Sequence, residues 1–186
     1  MTKQTEQKIV DSALKLFAEK GYKGATTSDI ARNAGVSELT IFRKFETKEN
    51  LFDETLKYSQ EKMKKKSFII FKDLDQKFED PKDFLEAYIK QLAEFFVDNF
   101  DFFNLMVIED NTKIDLDMGE FTLLIGKFLE RNLKNNKIDY KTLGIIINTF
   151  MYVITLERYH KRTFYDYNDS MEKFRNNLQL CIKSNR

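Results

Sequence analysis

Glu38, Leu39, Thr40, Arg43 and Lys44 fall on one face of a short amphipathic segment, Glu38 to Phe45, whose opposite face carries Ile41 and Phe45 at i and i+4. An acceptor, an apolar group, a hydroxyl and two cations, presented together by a rigid rod, suit base edges and phosphates better than any bond-breaking step. The competing reading of the same pattern is a small helical core with a polar surface. Catalytic groupings do not assemble. His160 is the only histidine and sits in the charged run Glu157 to Arg162, and Cys181 has no histidine at close spacing. Neither a phosphate-cradling Gly-rich loop ending in Lys nor a Gly-x-Gly-x-x-Gly turn occurs. No enzyme activity, catalytic residue, metal site or cofactor is therefore expected.

The elements that must hold this face follow from punctuation. Thr5 to Lys20 spaces Ile9, Ala13, Leu16 and Phe17 as one helical stripe, and Gly21 is expected to end it as a left-handed C-cap. Either Thr26 or Thr27 caps a second helix, Ser28 to Ala34, with Asp29 placed to favour its dipole. Gly35 ends that helix, Val36 plugs the turn, and Ser37 caps the third. Short helix, glycine turn, short helix, both resting on a longer one, is the architecture of a helix-turn-helix. Ala31 and Ala34 are small enough for close contact, and Val36 and Ile41 are expected to share the core beneath.

Thr47 caps a long fourth helix through Leu51, Phe52, Leu56 and Met63 that ends between Lys64 and Asp73. Further helices are expected from Pro81 to about Phe100, Phe102 to Asp110, Met118 to Asn135, Tyr140 to Phe164 and Ser170 to Ile182. Six glycines and one proline leave too little turn chemistry for a sandwich or barrel, which again points to an all-α chain. The domain expectation is 1–50 for the helix-turn-helix and 51–186 for a second helical domain, joined by a continuous helix. A single cysteine allows no internal disulfide, and Met1 to Gln4 is not the start of an apolar leader, so a cytoplasmic protein is expected. The most apolar run, Leu143 to Leu156, is too short to span a bilayer, and no membrane insertion is expected.

Net charge is +1, but it is unevenly spread. Residues 1–66 hold 14 Lys+Arg against 10 Asp+Glu, and residues 67–186 hold 17 against 20. The basic part is the front third. Lys62, Lys64, Lys65 and Lys66 are placed either to graze a polyanion or to be solvated at a helix end.

The stretch from Phe17 to Phe45, with Ile30-Ala31-Arg32-Asn33-Ala34-Gly35-Val36-Ser37 at its centre and Thr47-Lys48-Glu49-Asn50-Leu51 after it, resembles the N-terminal domain of the TetR (tetracycline-repressor) family of transcriptional regulators. The likeness covers roughly residues 5–55; beyond it only length and helicity are similar. It implies that Thr27 caps the second helix and donates its hydroxyl to a phosphate. It places Ser37, Thr40 and Phe42 on the recognition helix and its cap, beside the outward Glu38, Leu39, Arg43 and Lys44, and Lys48 at a backbone phosphate. Leu39 stands where the family has a small residue and is placed to touch a thymine methyl. Phe42 replaces a tyrosine, losing one hydroxyl-to-phosphate bond, and either faces DNA or packs on the first helix. Lys44 can supply a charged contact in its place.

Residues 67–186 hold 14 of the 18 phenylalanines. Most must be core, and an aromatic-lined pocket for an apolar or flat cationic effector is drawn from Phe103, Met106, Phe128 and Phe150. Glu109 and Asp110 are either counter-charges for a cationic effector or a helix end. The last two helices carry broad apolar faces, Leu143 to Ile154 and Met171 to Ile182, and the resemblance implies a homodimer through them. The expected function is a ligand-responsive regulator, in the repressor sense, binding a palindromic double-stranded DNA operator as a dimer. The alternative is a DNA-binding structural or protein-partnered factor with no small-molecule effector.

Overall fold

The computed structural model describes residues 2–75, 78–109, 118–162 and 164–183. Among these the regular structure is all helix: α1 (Lys3–Gly24), α2 (Thr27–Ala34), α3 (Glu38–Phe45), α4 (Lys48–Leu74), α5 (Pro81–Asp98), α6 (Phe100–Ile108), α7 (Met118–Leu133), α8 (Tyr140–Tyr159) and α9 (Tyr167–Lys183). The all-α expectation holds, and α4 runs from the helix-turn-helix without a break. Asp110 lies outside the described residues. No helix among them is long and apolar enough to cross a membrane.

Contacts divide the chain into two compact units, Met1–Lys64 with Asp101–Asp115 and Lys65–Phe100 with Leu116–Arg186. The first unit thus extends past the 1–50 motif, taking in part of α4 and nearly all of α6. Its core is built by the stripe of α1: Ile9, Ala13 and Phe17 are fully buried, with Ile30 of α2, Ile41 of α3 and Leu51 of α4. Burying each of the larger side chains among these contributes about 1.5–3 kcal/mol. Phe17 meets Phe52 edge-on at 4.9 Å between ring centres, and Tyr22 meets Phe52 at the same distance. α6 is tied to α1 by polar bonds: the buried Asn104 side chain donates to the Ala18 carbonyl at 2.9 Å, and the Tyr22 amide donates to Glu109 Oε1 at 2.6 Å.

Two helix ends differ from the sequence expectation. Gly21 has φ 70° and ψ 169°, a region essentially reserved for glycine but not the left-handed cap, and the chain resumes a helical turn to Gly24. α8 stops at Tyr159 rather than Phe164. Lys161 takes a positive φ of 51°, its amide donates to the Arg158 carbonyl, and the Arg162 amide donates to Glu157, closing the helix as a Schellman motif without a glycine.

In the second unit α7 and α8 lie in the closest approach. A Cβ on Gly144 would stand 2.7 Å from the Thr122 carbonyl oxygen, and one on Gly126 2.6 Å from that of Tyr140, so both positions need glycine to let backbone meet backbone. The Asn148 amide donates to Thr122 Oγ1 at 2.8 Å across the same contact. Phe84, Tyr88 and Phe128 form an aromatic cluster with centroids 5.6–5.9 Å apart, extended by Phe71 at 4.8 Å from Phe128.

Candidate nucleic-acid interface

The turn between α2 and α3 is built by local hydrogen bonds. Thr26 caps α2, accepting from the Asp29 amide at 3.0 Å. Gly35 adopts the left-handed conformation (φ 68°, ψ 35°), where the Gly35 amide donates to Arg32 and the Val36 amide to Ala31. Those are the two bonds of a Schellman closure. Ser37 then caps α3, its hydroxyl accepting from the Thr40 amide and lying 2.9 Å from the Thr40 hydroxyl. Ile41 and Phe45 are buried beneath α3, as their spacing requires, whereas Val36 is only half-buried and fills less of the turn than expected.

Fixing that inner face leaves an outer one. Leu39 is 58% exposed and Phe42 46%, one helical turn apart, so Phe42 is not packed away against α1. Arg43 is exposed beside them and has no hydrogen-bond or ion-pair partner among the described residues. Lys44 turns back to α1, where its Nζ meets Glu6 at 3.1 Å. Lys48 opens α4, after the Thr47 hydroxyl has capped it through the Asn50 amide at 3.0 Å. Its Nζ lies 4.6 Å from the centre of the Tyr22 ring, a cation–π seat that holds the charge at the helix start.

One expectation is corrected. Thr27 does not cap α2, because Thr26 does, and the Thr27 hydroxyl donates instead to Glu38 Oε1 at 2.5 Å. Sequence spacing also missed Tyr22 as the seat of Lys48 and Glu6 as the partner of Lys44. Both pairings join residues 26 and 38 positions apart, and neither has a local signal. Asp29 accepts from Lys20 and Arg32 at 3.1 Å each; the Lys20 hydrogen bond, aided by Thr26, holds its carboxyl below the usual carboxylate range.

The four aromatic and methionine positions drawn on for a pocket fall two in each unit. Phe103 is fully buried and Met106 half-buried in the first unit. Phe128 belongs to the cluster with Phe84 and Tyr88, and Phe150 stacks on Phe174 at 3.8 Å. Two open grooves of about 590 Å³ each lie in the second unit, lined by none of these four. One runs between α4 and α5 past Ile69, Ile70, Ala87 and Phe95; the other has Ile89, Ala93 and Met171 with Arg158 and Arg175.

Comparison with known proteins agrees with this geometry. The family model described as bacterial regulatory proteins, tetR family, matches residues 9–55. The HTH-type transcriptional regulator YvkB of Bacillus subtilis is 46% identical over 52 residues, and the icaADBC negative transcriptional regulator IcaR of Staphylococcus aureus 35% identical over 52. Each match covers 28% of this chain and 28% of the relative, so the chain matches little more than a quarter of either relative's length. Among solved structures, the fatty acid degradation regulator FadR of Bacillus halodurans superposes with a TM-score of 0.70 at 20% identity, over 100% of this chain and 98% of that one. A transcriptional regulator of Aquifex aeolicus gives 0.65 at 22%, over 95% and 99%. The fold is therefore shared along the whole chain, while sequence likeness is concentrated at the front. The N-terminal helix-turn-helix, residues 9–55, is thus similar to that of the tetR family of bacterial regulatory proteins.

Proposed function

We propose that this chain is a cytoplasmic transcriptional regulator rather than an enzyme, reading a palindromic DNA operator as a homodimer. The observation that carries the reading is the outer face of α3: Leu39, Phe42 and Arg43 are exposed side by side on a helix fixed from below by Ile41 and Phe45. An exposed apolar pair next to an unpartnered cation suits a major groove, which offers thymine methyls between rows of phosphates. Ser37 and Thr40 at the start of α3, and Lys48 on its Tyr22 seat, supply polar and charged contacts to the backbone.

Dimerisation is supported by the outward sides of the last two helices. Ile147, Met151, Ile154, Met171 and Leu178 are consumed by the subunit's own core, but Ile145, Ile146, Val153 and Leu180 remain 42–62% exposed. An isologous contact would cover them twice over, and two recognition helices about 34–36 Å apart then read inverted half-sites. Repression fits the negative regulator IcaR, to which this chain is 35% identical over 52 residues. A small effector, apolar or aromatic with room for polar groups, is supported by the open grooves of the second unit, whose linings mix apolar and charged side chains and which are each large enough for a drug-sized molecule. It would act by its differential affinity for the DNA-bound and free conformations, a coupling of about 1–3 kcal/mol.

Selection from a random-sequence duplex pool tests the reading. The expected result is enrichment of an inverted repeat whose affinity falls with salt. A protein that enriches no duplex, or binds all of them alike, would remove it.

A further inference from the structure

The Thr27–Glu38 bond gives this interface a specificity element that its resemblance does not supply. Thr27 is the first residue of α2 and Glu38 the first of α3. Because Thr26 takes the capping role, the Thr27 hydroxyl is spare, and it donates to Glu38 Oε1 at 2.5 Å. A hydroxyl has one proton to give, so while this bond lasts none is left for a phosphate. Glu38 in turn has no ion-pair partner among the described residues: Lys44 is held by Glu6, and Lys20 and Arg32 by Asp29.

The consequence follows from what a carboxylate can accept. The N-terminal residues of a recognition helix are those that reach base edges. Glu38 arrives there as an acceptor with Oε1 occupied by Thr27 and its remaining lone pairs open. In a major groove the only donors are the amino groups of cytosine and adenine, whereas guanine and thymine edges offer acceptors or a methyl. Phosphates on either side repel it. We infer that Glu38 reads an exocyclic amino group of cytosine or adenine, and that Thr27 is the positioning residue that aims its carboxylate rather than a phosphate donor.

The inference rests on the DNA-binding reading and is tested on the duplex enriched by the wild-type chain, with each half-site position varied through all four bases. Affinities are measured for wild type, Thr27→Val, Thr27→Ser, Glu38→Ala and the Thr27→Val/Glu38→Ala double variant. The wild type is expected to prefer cytosine or adenine at one position by roughly tenfold, about 1.4 kcal/mol. Glu38→Ala flattens that preference, Thr27→Val weakens it, Thr27→Ser restores it, and Thr27→Val changes nothing further once Glu38 is gone. Glu38→Gln keeps an acceptor for Thr27 and adds a donor. It serves as the second probe if Glu38→Ala does not fold, and is expected to relax the exclusion of guanine and thymine. Thr27→Val lowering affinity equally for every duplex, with or without Glu38, would make Thr27 a phosphate donor and overturn the positioning role. An unchanged base preference in both Glu38 variants would reduce the pair to a staple inside the turn. Failure of the wild type to enrich any duplex is a different result, and removes the functional reading itself.

Discussion

Replacing Lys48 by alanine isolates the electrostatic part of DNA binding. The Lys48 ammonium stands at the N-terminus of α4, 4.6 Å from the Tyr22 ring centre, so its position is set by an aromatic face that is itself locked against Phe17 and Phe52. Each phosphate neutralised by a cation contributes about 0.9 to the slope of log K against log salt. A dimer carries Lys48 twice, so Lys48→Ala should lower the slope by about 1.8. Across a fourfold change in salt, from about 50 to 200 mM, that is a difference of about twelvefold in how far affinity falls. Fluorescence anisotropy on the enriched duplex over this range measures it. Lys48→Arg should keep the slope, because it keeps both the charge and the contact with Tyr22. A wild-type slope in Lys48→Ala would show that this cation meets no phosphate, whatever happens to affinity at one salt concentration.

Three further outcomes follow from the packing. Gly144→Ala forces a methyl to 2.7 Å from the Thr122 backbone oxygen, and should lower stability by about 1–3 kcal/mol in denaturant melts; a neutral result would mean that α7 and α8 are free to separate. The Tyr88 hydroxyl is fully buried without a hydrogen-bond partner among the described residues, and burial pushes its pKa up, so Tyr88→Phe should raise stability by about 1 kcal/mol. Loss of stability in that variant would reveal a partner for the hydroxyl. Asp29 has a folded-state pKa below its ordinary value of 3.8, so its contribution is present above that pH and is lost as pH falls through the lower folded value. Asp29→Asn should flatten the fall of the thermal midpoint on acidification below about pH 4, and an unchanged acid limb would show that its Lys20 and Arg32 bonds add nothing.

Much of the fold is legible because its signals are local. Gly35 and Ser37 mark the turn by backbone chemistry that few other residues supply, and Ile41 and Phe45 name the buried side of α3 by spacing alone. What stayed hidden depends on tertiary closure. α3, α7 and α8 are followed by positive-φ residues that are not glycine, namely Glu46, Lys134 and Lys161, so the end of α8 carries no readable stop. The choice between Thr26 and Thr27 turns on a Glu38 that only folding brings near. Long-range pairs such as Lys48 with Tyr22 and Lys44 with Glu6 decide which cations face outward, and no periodicity encodes them. The pocket positions were drawn from residue type, which does not say which aromatic packs on which, as Phe150 does on Phe174.

The most direct test is the affinity of the purified chain for its enriched duplex before and after five base pairs are inserted between the half-sites. Five pairs turn the second half-site by about half a helical turn, onto the opposite face of the duplex. A rigid pair of α3 helices is expected to lose most of its affinity for the lengthened site. Equal affinity for both duplexes would contradict the paired-groove account.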